Sequence, residues 1–377
     1  MKVETLKRED YIPMMRFLEK SYNHTYHFFP LKYPHVWKEE TTDYENCFLI
    51  KENGEIVSHV RVFPLQVWVE NVSFSIGGIG GVATLPPYRG RGYMSLLMKH
   101  TLKIMEERGY PFSILGGDRQ RYAVFGYETC GREVVFRISI RSLEKPGFGK
   151  KIEVRRFSGE KEVLIKIIQA HESFPLRIKR TEDDYLLLLT TRVKTLIFYA
   201  QEEDKFSYLV AEGEGEEILK IHEVGGEPEI LIPLIYNFLR ITGKKEIEVH
   251  FPLYRGKLFS SLFQVASSFR VKPLGMIRIM SLQKTLKCYL PLLSKKVKGE
   301  KDNFTLKVKE SGEKVGMVID QEGVKLSEEE IGEEVCLGRR EWAQVLFGPF
   351  PPYLFNSSPL LSRLFPLDFY WWYLDWI

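Results

Sequence analysis

The sequence predicts an α+β protein in which mixed sheets flanked by helices form three successive units. Three observations carry that expectation. Residues 47–85 hold three strand-like runs joined by short turns; a glycine- and arginine-rich turn then opens an amphipathic helix and a return strand; and a similar order of elements recurs beyond residue 151. The expected divisions are residues 1–145, 151–286 and 287–377. The first is set off by Lys145-Pro146-Gly147-Phe148-Gly149-Lys150-Lys151, where proline and glycine interrupt either regular structure.

Composition narrows the class. Of 377 residues, 44% are hydrophobic and 28% charged, which suits a globular chain and excludes a disordered or fibrous one. The net charge of +4 creates no long-range field for nucleic acid or a membrane surface, so neither is expected as a partner. Met1 to Tyr11 is polar, with no apolar segment of a secretion signal, and no run of about 18 apolar residues could span a bilayer. The expected location is therefore the cytoplasm. Cys47, Cys130, Cys288 and Cys336 are too scattered for a zinc knuckle or a disulfide framework. His24 and His27 could share one face of a helix, but two ligands among aromatic neighbours point to packing, and no metal is expected.

Each element has its own local cause. Tyr11, Met14, Met15 and Leu18 recur at three- and four-residue steps and predict a helix over Arg8 to Ser21. Phe48 to Lys51, Ile56 to Val69 and Val72 to Leu85 read as an antiparallel meander turning at Asn53-Gly54 and Glu70-Asn71. Tyr93, Leu96, Leu97, Thr101, Ile104 and Met105 mark an amphipathic helix ending near Gly109. Phe112 to Leu115 reads as a buried strand, Asp118 to Phe125 as a short helix, and Glu133 to Ile140 as a further strand. The second unit predicts helices over 162–172, 181–189 and 230–242 and strands over 195–201, 207–212 and 246–250. In the third, Phe304 to Val308, Lys314 to Ile319 and Glu334 to Leu337 predict a small sheet, with a helix over Arg340 to Leu346. The aromatic end PLDFYWWYLDWI is expected to dock on a core.

The strand bearing Gly77, Gly78, Gly80 and Gly81 stops at Pro86-Pro87, turns through Arg89-Gly90-Arg91-Gly92 and opens a helix at Tyr93. A helix start leaves backbone N–H groups without partners and adds partial positive charge, which suits an anion. Gly90 and Gly92 let a diphosphate approach the backbone, and Arg89 and Arg91 add charge nearby. Upstream, Val82, Ala83 and Thr84 are positioned to hydrogen-bond a ligand chain laid along the strand. The plainer reading is a surface turn with two solvated arginines. The return strand about thirty residues on, followed by RYAVFGYE, favours the ligand site.

At these residues the chain resembles the GNAT acetyltransferase superfamily, whose loop reads Arg/Gln-x-x-Gly-x-Gly/Ala; here it reads Arg89-Gly90-Arg91-Gly92-Tyr93-Met94, with Met94 at the last position. With GGVATLPPYRGRGYMSLLM and RYAVFGYETCG it looks most like the enhanced intracellular survival (Eis) branch. That resemblance implies tandem GNAT-like domains plus a small α/β domain similar to sterol carrier proteins, acetyl-CoA as cosubstrate, and a homo-oligomer. Val82, Ala83, Thr84, Arg89, Gly90, Arg91, Gly92, Tyr93 and Met94 would then hold the coenzyme. It also implies that Tyr127, in Phe125-Gly126-Tyr127, protonates the departing thiolate, and that the terminal carboxylate, here of Ile377, serves as base. Tyr122 is the nearest competitor of Tyr127. The second unit offers only Val224-Gly225-Gly226-Glu227-Pro228 at the matching turn, so no coenzyme is expected there.

The expected activity is transfer of an acetyl group to a primary amine of a small polyamine- or aminoglycoside-like acceptor or of a lysine side chain. Such acceptors are cations, so acidic residues are expected along the cleft. The alternatives are a tandem acyl or aminoacyl transferase and a non-catalytic acyl-CoA or lipid sensor.

Overall fold

The computed structural model describes residues 2–145, 148–213, 217–297, 299–349 and 359–377; Pro146 and Gly147 of the expected linker lie outside them. The helix Tyr11–Tyr22 forms as its apolar spacing predicts, stopping at Asn23 in the left-handed conformation. His24 and His27 lie past its end, where His24 stacks on Phe28 at 3.7 Å and His27 lies 3.8 Å from the Tyr26 ring.

The meander becomes Cys47–Glu52, Glu55–Val69 and Val72–Thr84, at the core of the first sheet. Residues Ile56 to Phe63 are buried without alternation, because elements cover both faces of the sheet. Opposite Val60 the strand Val72–Thr84 carries a bulge: Arg61 faces Gly80 and His59 faces Ala83, leaving Gly81 and Val82 in between. Gly81 takes φ +60°, a conformation that glycine adopts without the clash a Cβ brings. On its other side this strand runs parallel to Phe112–Leu115 only from Gly77/Ser113 to Ile79/Leu115. Beyond that point the two separate, and the helix Tyr93–Glu107 connects them.

The second sheet repeats this device. Leu219–Gly226 and Glu246–Pro252 pair in parallel from Leu219/Ile247 to Ile221/Val249 and are joined by the helix Pro228–Thr242. The third sheet has the order Gly323–Ser327, Lys314–Asp320, Asp302–Val308, Glu333–Leu337, beside the helices Leu282–Lys296 and Arg339–Phe347.

Sheet membership does not follow the order of the chain. Glu133–Ser139 enters the second sheet, antiparallel to Glu246–Pro252, while Gly275–Ile279 inserts into the first between Phe112–Leu115 and Glu128–Cys130. Leu176–Ile178 also pairs with Glu55–Val69, so two strands from beyond residue 151 enter the first sheet and one strand from before it enters the second. The division expected at 286/287 falls inside the helix Leu282–Lys296, whose sequence carries Pro291 and interleaves its leucines with lysines and other polar residues. No helix among the described residues is long and apolar enough to cross a membrane.

Candidate functional site

The turn after the bulged strand lines a cavity of about 710 Å³, together with Ser21, Tyr22, Val82, Ala83, Thr84, Tyr88, Met94, Ser95 and Arg121. Gly90 and Gly92, at φ +78° and +80°, also line it, and a Cβ on either would project into open space. These left-handed positions expose successive backbone amides on one side. The N–H groups of residues 90 to 95 have no acceptor among the described residues; the first helical bond is that of Leu96 to the Gly92 carbonyl. Six consecutive unsatisfied donors at the start of a 15-residue helix form a concave anion site.

The predicted side chains divide around this cavity. The carbonyls of Val82, Ala83 and Thr84 accept from Tyr22 Oη at 2.9 Å, Ser58 Oγ at 3.0 Å and Arg89 Nε at 3.2 Å. Arg91 turns away: it lies 3.6 Å from Glu52 and over the Tyr88 ring. Tyr93 is buried, and its hydroxyl donates to Glu52. Met94 lines the wall. Tyr22 carries no local motif, and Arg121, the first residue of RYAVFGYE, was given no role by the sequence reading.

The bulge is held from behind. His59 is fully buried, with Nδ1 2.8 Å from the Gly81 carbonyl oxygen, so this nitrogen carries the hydrogen. Burial pushes its pKa down to about 4, which keeps the ring neutral. Arg61 is also buried; it stacks on Trp37 and Phe63 and donates to the Val36 carbonyl, fastening the segment before Trp37 to the sheet.

The structure separates the two tyrosines. Both are buried and neither lines the cavity; Tyr127 lies beneath the helix Tyr93–Glu107 with its hydroxyl 2.7 Å from Ser113 Oγ. Burial raises its pKa. Tyr122 sits beside the cavity through Arg121 and Tyr22, with both of which its hydroxyl interacts electrostatically. Burial raises its pKa and Arg121 opposes the shift. The local cause is legible: Asp118 caps the helix Arg119–Ala123 by accepting from Gln120 N at 2.7 Å and Arg121 N at 3.2 Å. Gly117, where a Cβ would come 2.6 Å from the Tyr122 ring, leaves room for that ring.

The aromatic tail crosses the second sheet and ends against the first. Trp372 packs on Phe174 and Phe251 and donates from Nε1 to the Leu176 carbonyl at 3.1 Å; Tyr373 stacks on His222 at 3.9 Å. Asp375 accepts from Arg180 Nε at 2.6 Å, and Arg180 also grips Glu223 at 2.7 Å, all three buried. Burial raises Asp375 to about 6, against the lowering pull of Arg180. Ile377 then lies over the glycines of the bulged strand: a Cβ at Gly80 would be 3.1 Å from the terminal carboxyl carbon and oxygen. Among the described residues no cation pairs with this carboxylate, whereas Glu212, Glu223 and Asp375 are each bonded to Lys32, Arg192 or Arg180.

At the matching turn of the second sheet the amides are spent. Glu227 N donates to the Phe206 carbonyl, Ile230 N and Leu231 N donate to the Glu227 carbonyl, and Pro228 has no N–H. No equivalent anion site is present there. Among the described residues no group of three or more histidine, cysteine or acidic side chains could hold a metal ion.

Residues 2–130 match the acetyltransferase (GNAT) domain family. With the strand–turn–helix anion site inside that span, residues 2–130 form a GNAT-type domain and the protein is an acyltransferase. Over the whole chain, the fold is similar to a GCN5-related N-acetyltransferase from Anabaena variabilis, at 15% identity and TM-score 0.73, covering 100% of both chains. It is also similar to one from Kribbella flavida, at 17% identity and TM-score 0.70, covering 100% of this chain and 98% of the other. Eis1 from Mycobacterium abscessus aligns at 12% identity and TM-score 0.66, covering 97% and 96%. A comparison with curated proteins finds no match.

Proposed function

We propose that the protein transfers an acetyl group from acetyl-CoA to a primary amine of a small polyamine- or aminoglycoside-like acceptor or of a lysine side chain. The observation that carries this reading is the run of six free amides at residues 90 to 95, flanked by Arg89 and Arg121. Those donors suit the coenzyme diphosphate, and the separated strands leave room for the arm that carries the thioester.

The neutral amine attacks the thioester carbonyl carbon; a C–N bond forms and the C–S bond breaks. The proton lost by nitrogen passes to a base and the sulfur receives one from an acid, leaving an amide and free CoA thiol. The Ile377 carboxylate suits the base, since no cation neutralises it. Tyr122, whose hydroxyl interacts with the cavity-lining Arg121 and Tyr22, suits the acid better than Tyr127, whose hydroxyl pairs with Ser113 in the core. The second sheet, lacking free amides, serves as the opposite wall of the acceptor cleft. The four-stranded third sheet and its helices support a sterol-carrier-like reading of the last unit.

The test is thiol release from acetyl-CoA in the presence of a panel of amines, with the acetylated product identified by mass. Release with at least one amine is expected. Tight coenzyme binding without turnover on any amine would overturn the reading.

A further inference from the structure

The end of the chain closes the space between the two separated strands of the first sheet. At Gly78 a Cβ would meet Ile377 Cδ1 at 2.4 Å, and at Gly116 it would meet the Trp376 ring at 3.6 Å. These glycines let the last two side chains sit directly on the backbone of both strands. What remains between them, bordered by Ile114, Leu115, Gly116, Trp376 and Ile377, is a cavity of about 30 Å³. That is the space of about one water molecule, or of a methyl group.

We propose that Trp376 and Ile377 form the end wall of the acyl site and restrict the donor to a two-carbon acyl group. This rests on the transferase reading above and adds to it the residues that set donor chain length. A thioester carbonyl placed at the bulge directs its alkyl end into the gap between the strands. An acetyl methyl fits a water-sized space there; each further methylene must displace a side chain from the wall. The wall residues are half-buried, and the buried residues just before them are anchored by Arg180 on Asp375 and by the Trp372 aromatic contacts, which limits how far the wall can swing aside. The chain end thereby holds two functions in one residue: its carboxylate lies over Gly80 while its side chain blocks the gap beside Gly78.

The experiment measures kcat/KM for acetyl-, propionyl-, butyryl- and hexanoyl-CoA with one productive amine. It uses the wild type and the variants Ile377→Ala and Trp376→Leu, both of which keep the terminal carboxylate. Wild type is expected to lose roughly 10-fold or more at the first added methylene, within the range of about 10- to 200-fold for a confined apolar site. Ile377→Ala is expected to reduce that ratio several-fold, chiefly by raising the propionyl and butyryl rates. Trp376→Leu gives a second, independent reading if either variant proves unstable. Equal use of acetyl- and butyryl-CoA by the wild type, or an unchanged ratio in a folded Ile377→Ala, overturns the inference while leaving acetyl transfer intact. No thiol release from any donor overturns the transferase reading itself, a result that cannot be confused with the other two.

Discussion

Arg180 Nε lies 2.6 Å from Asp375 Oδ1 in a fully buried ion pair that joins the segment after the strand Leu176–Ile178 to the last three residues of the chain. The same guanidinium holds Glu223, so the two carboxylates share one cation. Removing Arg180 leaves both acids buried and unpaired, and a broken buried pair costs about 3–5 kcal/mol. Arg180→Met is therefore expected to lower Tm markedly and to release the tail, with activity falling beyond what the remaining folded fraction explains. Thermal melts and activity per folded molecule, measured together, check this; a stable and fully active variant contradicts it.

A side chain at Gly92 would project into the cavity and would also force a left-handed conformation, which costs about 1–2 kcal/mol for a residue with a Cβ. Gly92→Val is expected to raise KM for acetyl-CoA at least tenfold with a modest loss of stability. Gly243, at φ +66° and equally open, ends a helix remote from the turn and provides the control. Gly243→Val should show the stability loss alone. An unaltered KM in Gly92→Val would remove the diphosphate from this turn.

The two tyrosines give opposite expectations. Tyr122→Phe should lower kcat by about 100-fold or more, the scale of a positioned proton donor. Tyr127→Phe breaks only the hydrogen bond to Ser113 and should cost about 1–3 kcal/mol of stability with kcat nearly intact. The reverse pattern in steady-state rates would return the acid role to Tyr127.

Lengthening the chain tests the terminal carboxylate. Two or three residues added after Ile377 move the carboxylate away from Gly80 and crowd the strands, so activity should vanish. Coenzyme affinity should survive, because the free amides lie on a different stretch of the chain. An active extended protein would exclude the carboxylate as base.

Acid should destabilise the fold through its histidines. Burial depresses His35, His171 and His222 to about 3 and His59 to about 4, below the ordinary 6.5. In the unfolded chain these groups take up protons near pH 6.5; in the folded protein they do so only near 3 to 4. Their contribution is fully present above pH 6.5 and is lost progressively as pH falls toward those lower values. Tm should drop steadily from pH 7 to pH 4.5, and His171→Gln should flatten part of that slope. A level Tm across the interval would show that these rings titrate normally.

Much of the first sheet was legible because its causes are local. The helix at Tyr93, the strand Phe112–Leu115 and the turn at Asn53-Gly54 follow from periodicity and from residues that tolerate positive φ. The helix Leu282–Lys296 was not, since Pro291 and its many polar residues blur the apolar stripe, and neither was the exposed strand Ser268–Lys272. At the site, the glycines and Arg89 could be read from spacing, whereas Tyr22 reaches the cavity from 60 residues before Val82, whose carbonyl it bonds. Arg91 shows the reverse: its spacing suggested the anion site, and a carboxylate on another strand, Glu52, draws it off.

By itself the sequence determined that a bare turn would follow a glycine-bearing strand, because proline, glycine and the following apolar steps constrain dihedrals within a few residues. Only the tertiary structure decided which partners the two tyrosine hydroxyls meet, which strands cross between sheets, and where the last residue comes to rest. Those outcomes depend on pairings such as Arg180 with Asp375, 195 positions apart. Burial and electrostatics select such partners through the packing of the whole chain, and no local pattern records the choice.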